Sequence, residues 1–141
     1  MIGIIIVTHS DFGSRLLEAA HLITGDERNC CSIGVDVSQP MEDIIQQLKK
    51  KVQELDTGSG VIILTDMFGG TPTNISLSLL NHGRLEVITG VNLPMILKAL
   101  ANREHRLSDL AQEVKAAGKQ GILVAGDLLK RQVSNPGRKG E

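Results

Sequence analysis

The sequence predicts an α/β domain built on a doubly wound, mainly parallel sheet. Short apolar runs alternate with segments whose apolar residues recur every three or four positions, a pattern typical of buried strands separated by amphipathic helices. The length of 141 residues corresponds to a single domain with a sizeable core. Because the chain has only two Phe and no Trp or Tyr, we expect that core to be aliphatic.

The first half of the chain predicts a regular alternation of strands and helices. Apolar runs predict its three strands, at residues 2–8, 30–37 and 61–65. Residues 14–24 predict a helix between the first two strands, and Gly25 is expected to end it. A second helix is expected to begin at Pro40, because the following apolar residues are spaced by three, four and seven positions.

The second half of the chain predicts a less regular arrangement. Residues 73–80 predict a short helix that ends at Asn81-His82-Gly83, and residues 85–89 predict a fourth strand. Asn92 and Ser108 are expected to cap two further helices. These two helices follow one another without a strand between them, so the alternation of strand and helix is broken here.

The final apolar run, residues 122–125, predicts one more strand, extending toward Leu129. Because the alternation is broken before it, we expect this strand to lie antiparallel at an edge of the sheet. Residues 1–130 form the predicted domain, and residues 131–141 are expected to be a flexible tail.

Composition excludes several classes of partner. The charge is balanced, with 15 Lys and Arg against 16 Asp and Glu, so no nucleic-acid partner is predicted. The apolar run at residues 2–7 is too short for a signal peptide or a membrane span, so no membrane insertion is predicted. Cys30 and Cys31 are neighbours in one predicted strand and point to opposite faces, which favours free thiols and a cytoplasmic protein.

The topology brings two distant segments to one place. Short right-handed connections favour the flavodoxin-like strand order 2-1-3-4, in which the first and third strands are neighbours. Ligands of such sheets bind at the carboxyl ends of the strands, where the helices on either side diverge. His9 follows the first strand and Asp66 follows the third. Next to Asp66 lie Gly69, Gly70 and Thr71, at the start of the next helix.

These residue types suit the transfer of a phosphoryl group. A neutral imidazole nitrogen is nucleophilic near neutral pH, and a neighbouring carboxylate such as Asp66 orients the ring of His9 by holding its other nitrogen. Gly69 and Gly70 allow backbone amides to approach a phosphate, and the hydroxyl of Thr71 adds a donor. Ser10 completes the predicted phosphate-binding set.

Each of these residues also has a purely structural interpretation. His9 would then be a polar strand end, Asp66 a helix cap and Gly-Gly-Thr-Pro a turn. The other histidines lack metal-ligand spacing, so neither a metal nor a cofactor is predicted. Asp11 is either a helix cap or part of the site, and Arg15 is either a surface charge or a contact for an anionic partner.

Three motifs resemble the EIIA component of the mannose family of the bacterial sugar phosphotransferase system. They lie in family order within residues 1–130 and read Ile4-Ile-Ile-Val-Thr-His9-Ser, Leu64-Thr-Asp66-Met-Phe-Gly-Gly-Thr-Pro-Thr-Asn74 and Glu86-Val-Ile-Thr-Gly-Val-Asn92-Leu-Pro-Met95. One departure follows the histidine, where Ser10 stands at a position that relatives often fill with glycine.

The resemblance implies specific roles and partners. His9 would accept a phosphoryl group from phospho-HPr on its Nε2 atom and transfer it to an EIIB partner, while Asp66 holds Nδ1 and Thr71 lies near the phosphate. We expect EIIB to be a separate subunit, because no linker to an attached EIIB domain follows. Family members form homodimers in which the last strand crosses to the partner's sheet, and such an exchange would explain the irregular final strand here.

Other functions stay open on the sequence. A receiver-like domain would be phosphorylated on Asp66, although the acidic pair that such domains use for Mg²⁺ is not found at Thr8-His9-Ser10. A non-catalytic anion-binding module is a further alternative, although the common nucleotide-binding glycine motifs are absent. The phosphoryl-donor subunit of dihydroxyacetone kinase is a weaker match, because it lacks the loop that begins at Asp66. Sugar transport and regulation are both compatible with these motifs.

Overall fold

The structure, a computed structural model, describes residues 1–81 and 84–134 and contains one four-stranded sheet in that part of the chain. Its strands are β1 (Gly3–His9), β2 (Cys30–Val35), β3 (Val61–Thr65) and β4 (Leu85–Ile88). All neighbouring strands are parallel, and the order is β2-β1-β3-β4, as predicted. The predicted helix stop at His82-Gly83 and most of the predicted tail lie outside the described residues.

The helices of the described chain alternate with the strands as far as β4. They are α1 (Phe12–Thr24), α2 (Met41–Leu55), α3 (Thr71–Leu77), α4 (Leu93–Ala101), α5 (Leu107–Gln120) and α6 (Ala125–Ser134). Gly25 ends α1 at a φ of 71°, and Asn92 caps α4 by accepting the Met95 N–H at 3.1 Å, both as predicted. Ser108 lies inside α5 and does not cap it, because α5 already begins at Leu107.

The predicted bounds of α3 were too late at both ends. The helix begins at Thr71 and ends at Leu77, whereas residues 73–80 were expected. Pro72 lies in the first turn of the helix, where its missing N–H costs no intrahelical hydrogen bond. The helix can therefore include Pro72 and begin before it, at Thr71. The whole loop between β3 and α3 is therefore only five residues long, from Asp66 to Gly70.

The core has two layers, one on each face of the sheet. Successive side chains of a strand point to opposite faces, so Ile4 and Ile6 of β1 pack with α1, α4 and α5. Ile5 and Val7 pack on the other face with α2 and α3. All four residues are fully buried. The core is aliphatic, as predicted. Because apolar layers cover both faces of the sheet, β1 is an uninterrupted apolar run and lacks the alternation of a half-exposed strand.

The predicted final strand does not form within a single copy of the chain. Residues 122–124 pair with no strand in the described structure, and Ala125 begins a helix. Ile122, Leu123 and Val124 are 75%, 64% and 69% exposed. A run of three apolar residues fits a strand pattern, but an edge strand forms only where a partner strand is within reach. The exchange of this segment in a dimer stays a prediction.

Arg103 ties the connection between α4 and α5 to the sheet. Its side chain is only 2% exposed. Nε donates to the carbonyl oxygen of Ile2 at 3.0 Å, Nη2 donates to that of Asn29 at 2.8 Å, and Nη1 donates to that of Arg28. Asp26 lies 3.9 Å from Nη1. A buried guanidinium with its donors satisfied thus fastens α4 and α5 to the amino ends of β1 and β2.

Replacing Arg103 by Met tests these hydrogen bonds, because Met keeps much of the apolar length of the side chain and removes its donors. We expect the free energy of unfolding to fall by about 3 kcal/mol, because three hydrogen bonds of roughly 1.5–3 kcal/mol each are lost and removal of a buried charge offsets part of that loss. Urea unfolding followed by circular dichroism measures the change. The control is Arg106→Met, whose side chain is 82% exposed and pairs with Asp109. An equal loss of stability in both variants would contradict this role of the Arg103 hydrogen bonds.

Candidate active site

The site lies at the carboxyl edge of the sheet, between its two central strands. β1 and β3 are parallel neighbours, with Val7 opposite Thr65. His9 is the last residue of β1, and Asp66 is the first residue after β3. Parallel strands end at the same edge, so the two side chains emerge side by side although 57 positions separate them.

One carboxylate oxygen of Asp66 holds both the ring and the backbone of His9. Oδ2 lies 2.7 Å from Nδ1 and accepts the backbone N–H of His9 at 2.9 Å. An ionised carboxylate is only an acceptor, so Nδ1 carries the proton and Nε2 keeps its lone pair. The side chain of His9 is 51% exposed, whereas that of Asp66 is 12% exposed. The reactive nitrogen is therefore presented to solvent from a fixed ring.

The contacts of Asp66 favour its ionised form. Partial burial by itself raises the pKa of Asp66, but hydrogen bonds from the backbone and ring of His9, the charge of His9 and the Met67 N–H lower it by more. The pKa therefore lies below the ordinary value of an aspartate. Met67 donates to Oδ1 at 2.9 Å, so both carboxylate oxygens are engaged. Near neutral pH the carboxylate is charged and accepts from Nδ1.

The glycines of the loop serve two different purposes. Gly69 has a φ of 91°, a conformation that other residues rarely adopt, and a Cβ there would meet no atom within 4 Å. At Gly70 the constraint is space, because a Cβ would lie 2.9 Å from Cε1 of His9 and 3.4 Å from Nε2. The backbone of Gly70 thus lies against the edge of the ring that carries Nε2. Thr71 follows as the half-buried first residue of α3.

The turn after His9 is tight and strained. Ser10 has a φ of 53°, and its N–H donates to the carbonyl oxygen of Val35 at 3.1 Å. A Cβ at Gly34 would lie 2.3 Å from the carbonyl oxygen of Ser10, so the turn rests directly on β2. The left-handed conformation of Ser10 is one that residues other than glycine rarely adopt. The hydroxyl of Ser10 is exposed and lies 3.4 Å from Asp11 Oδ1.

The roles left open for Asp11 and Arg15 are partly resolved. Asp11 precedes α1 but makes no capping hydrogen bond with its side chain. The side chain that caps α1 is that of Thr8, near the end of β1. Its buried Oγ1 accepts the Gly13 N–H at 2.8 Å. Arg15 Nη1 lies 3.0 Å from Glu18, and Arg15 Nε lies 3.9 Å from Asp11. Asp11, just before α1, and Arg15, in its first turn, are both surface residues beside the site.

Buried hydroxyl groups behind the site were missed by the sequence analysis. Thr8 and Thr65, which directly precede His9 and Asp66, are both fully buried. Thr65 Oγ1 lies 2.7 Å from Oγ1 of Thr73, a residue to which no role had been given. The available signal was a threonine at the end of each of two otherwise apolar strands, because a polar side chain there must find a hydrogen-bond partner inside the protein.

Two further features of the described residues concern metal binding and membrane insertion. Across residues 1–81 and 84–134, no group of three or more His, Cys, Asp or Glu is arranged to hold a metal ion. Within the same residues, no helix is both long and apolar enough to span a bilayer. The structure brings together His9, Asp66 and the backbone of Gly70, with Ser10 and Thr71 next to them in the chain.

A family model described as PTS system fructose IIA component, of the mannose EIIA type, matches residues 3–127. The chain belongs to this EIIA family. EIIA components are phosphotransferase relay proteins of the sugar phosphotransferase system, so the chain is a phosphotransferase component of the mannose type. The resemblance derived from the three sequence motifs is thus confirmed.

Individual relatives agree with this assignment. The fructose-specific EIIA component of Bacillus subtilis (strain 168) is 32% identical over 133 residues, which cover 93% of this chain and 91% of that protein. The mannose-specific EIIAB component of Escherichia coli (strain K12) is 32% identical over 124 residues, which cover 86% of this chain but only 38% of that protein. The crystal structure of an EIIA component from Streptococcus agalactiae superimposes with a TM-score of 0.82 at 29% identity, covering 90% of this chain and 99% of that one.

Replacing Gly70 by Ala tests the contact between the loop and the imidazole. The added Cβ would lie 2.9 Å from His9 Cε1, so we expect the ring to move and its NMR signals to shift. Gly25→Ala is the control, because it strains a left-handed glycine by about 1 kcal/mol without meeting another atom, at the end of α1 and away from the loop. Its His9 signals should stay in place while its stability falls. Unchanged His9 signals in Gly70→Ala would refute the contact.

Proposed function

We propose that His9 accepts a phosphoryl group on Nε2 from phospho-HPr and transfers it to an EIIB partner, in the uptake of a sugar or its regulation. The observation that carries this proposal is the 2.7 Å contact between Nδ1 of His9 and Oδ2 of Asp66. It places the proton on Nδ1 and leaves the lone pair of the exposed Nε2 free to attack. Membership of the EIIA family supports the choice of partners.

The transfer is an in-line displacement at phosphorus. The lone pair of Nε2 forms the new nitrogen–phosphorus bond, while the bond from phosphorus to the donor breaks and its electron pair leaves with the donor. The imidazole ring then carries positive charge, which the carboxylate of Asp66 stabilises through Nδ1–H. The reverse displacement passes the group to EIIB and returns the ring to neutrality.

The phosphoryl oxygens need donors on the Nε2 side of the ring. The backbone of Gly70 lies against that side, and Gly69 gives the loop the conformation that brings it there. We assign Gly69, Gly70, Thr71 and Ser10 to this role. The positions of Thr71 and Ser10 support a role for their hydroxyls, because Thr71 follows Gly70 and Ser10 follows His9, the two residues that are in contact.

Exposed apolar side chains at the same edge support docking of a protein. Both aromatic residues of the chain, Phe12 and Phe68, are exposed there, at 48% and 75%. Met67 lies beside Phe68, and Val37 and Met41 belong to the connection after β2 and the start of α2; these three are 55%, 102% and 54% exposed. Such residues suit the core of a protein interface, and both phosphoryl donor and acceptor must approach Nε2 from this side.

The acidic residues of this edge favour a basic partner surface. Asp36 follows β2, and Glu42 and Asp43 lie in the first turn of α2. Asp11 adds a further negative charge beside His9, while Arg15 adds one positive charge. Complementary charge of this kind steers a partner to the site and raises the rate of encounter.

The alternative of a receiver phosphorylated on Asp66 is not favoured. Both of its carboxylate oxygens already accept hydrogen bonds, and its side chain is 12% exposed against 51% for His9. A purely anion-binding role is also not favoured, because the chain belongs to a family of phosphotransferase components.

We further propose that two copies form a homodimer through residues 122–124. These exposed apolar residues adjoin a groove of about 590 Å³ between the free edge of β4 and α5. Glu86, Val87 and Ile88 of β4 line the groove, and Ile122 lies at its border. The unpaired edge of β4 offers hydrogen-bonding groups to an added strand. The segment from a second copy would supply that strand and cover its own apolar side chains.

His9→Ala tests the phosphoryl relay. We expect this variant to take up no label from ³²P-labelled phospho-HPr, because the nucleophilic nitrogen is gone. His105→Ala is a matched control, since His105 is also 51% exposed and pairs through Nδ1 with Glu113 at 2.8 Å. It should be labelled like the wild type. The wild-type label should be stable in alkali and lost in acid, as is typical of phosphohistidine. Undiminished labelling of His9→Ala would end the proposal.

Replacing Ile122 and Val124 together by Asp tests the dimer. Light scattering should give the wild type twice the 15.2 kDa of one chain, and the variant the mass of one chain, because charged side chains oppose burial in the groove. Leu22→Asp is the control, since Leu22 is 89% exposed on α1, away from the groove. A wild-type protein of monomer mass, or a variant that stays dimeric, would contradict the exchange.

A further inference from the structure

Thr73 holds the loop that presents Asp66 to His9. It lies in the first turn of α3 and is fully buried. Its Oγ1 is 2.5 Å from the carbonyl oxygen of Met67 and 2.7 Å from Oγ1 of Thr65, the equally buried last residue of β3. One hydroxyl group thus joins the end of the strand, the start of the helix and the loop between them.

The protons of this arrangement have only one consistent direction. A carbonyl oxygen accepts and never donates, so Thr73 donates its hydroxyl proton to Met67. Thr65 must therefore donate to Thr73, since two hydroxyls in contact need one donor and the proton of Thr73 is already used. The result is a directed chain of hydrogen bonds from the buried end of β3 to the backbone of the loop.

A second set of hydrogen bonds leads from Met67 to the imidazole of His9. The N–H of Met67 donates to Oδ1 of Asp66 at 2.9 Å, and Oδ2 of the same carboxylate accepts from His9 at 2.7 Å. Both backbone polar groups of Met67 are therefore used, one toward Thr73 and one toward Asp66. Two sets of hydrogen bonds, linked covalently by the backbone of Met67, thus connect Thr65 to Nδ1 of His9.

Side-chain packing does not explain how this loop keeps its shape. The side chains of Met67 and Phe68 are 55% and 75% exposed, and Gly69 has none. The loop backbone is instead held from below, by the two buried hydroxyls. In a region with little apolar contact, such hydrogen bonds decide the conformation, because even a partly buried carbonyl that loses its donor destabilises the loop.

We infer that Thr73 is a positioning residue for phosphoryl transfer, with Thr65 as its support. By fixing the carbonyl of Met67, Thr73 keeps the carboxylate of Asp66 on Nδ1 and so keeps Nε2 unprotonated. This inference rests on the proposed function of His9, but the state of the imidazole ring is measured without any phosphoryl donor.

Three variants separate this role from a general effect on folding. Thr73→Val keeps the shape of the side chain and removes the hydroxyl, whereas Thr73→Ser keeps the hydroxyl. Ser76→Ala is the matched control, because Ser76 is also fully buried in α3 and donates to the carbonyl oxygen of Pro72 at 2.7 Å, within the helix and away from the loop.

The first measurement is the ¹⁵N NMR spectrum of the His9 ring in the unphosphorylated protein. We expect the wild type, Thr73→Ser and Ser76→Ala to show the form protonated on Nδ1, and Thr73→Val to show a mixture with the form protonated on Nε2. The second is the rate of transfer from phospho-HPr. Loss of the hydrogen bond that fixes the Met67 carbonyl should slow Thr73→Val about tenfold, whereas Thr73→Ser should stay close to wild type.

The inference is overturned if Thr73→Val keeps the wild-type ring spectrum, or if Ser76→Ala changes that spectrum as much. Should Thr73→Val fail to fold, Thr65→Val is used instead. It removes only the hydrogen bond from Thr65 to Thr73, so it should change the ring spectrum in the same way but less. An unchanged ring spectrum in Thr65→Val would overturn the inference. If the wild type takes no label from phospho-HPr, the proposed function fails, and the ring spectra still decide the role of Thr73.

Discussion

The rest of the site depends on the hydrogen bonds between Asp66 Oδ2 and His9. Because the same oxygen accepts from the ring at 2.7 Å and from the backbone at 2.9 Å, it fixes both the direction of the imidazole and the end of β1. This geometry requires the register in which Val7 lies opposite Thr65. A shift of one residue would turn every side chain of one strand to the other face and separate the pair.

That register is secured by the core and not by the site. β1 is buried on both faces, with Ile4 and Ile6 in one aliphatic layer and Ile5 and Val7 in the other. Four such side chains contribute roughly 1.5–3 kcal/mol each when fully buried, whereas a single hydrogen bond at a half-exposed histidine contributes roughly 1 kcal/mol. The strands are therefore placed by apolar burial, and the polar contacts form where the strands end.

This division explains what the sequence predicted and what it could not. His9 and Asp66 directly follow apolar runs, so locating the strands also located the residues at their ends. Arg103 and Thr73 carry no such signal, because their partners are backbone carbonyls that only the folded chain brings near. The final segment forms no strand within the single chain for a related reason. Its three apolar residues match a strand locally, but strand formation depends on a neighbour that the sequence pattern does not contain.

The loop after β3 has to satisfy two demands that ordinarily conflict. Its backbone must hold Asp66 within hydrogen-bonding distance of His9, which requires rigidity, and its side chains must stay uncovered for partners that approach Nε2. A loop rigidified by its own apolar side chains would bury Met67 and Phe68 and remove them from the surface. Anchoring the backbone from below, through Thr73 and Thr65, leaves both side chains exposed. The buried threonines and the exposed apolar rim are thus two consequences of one requirement, a fixed nucleophile that remains open to proteins on its outer side.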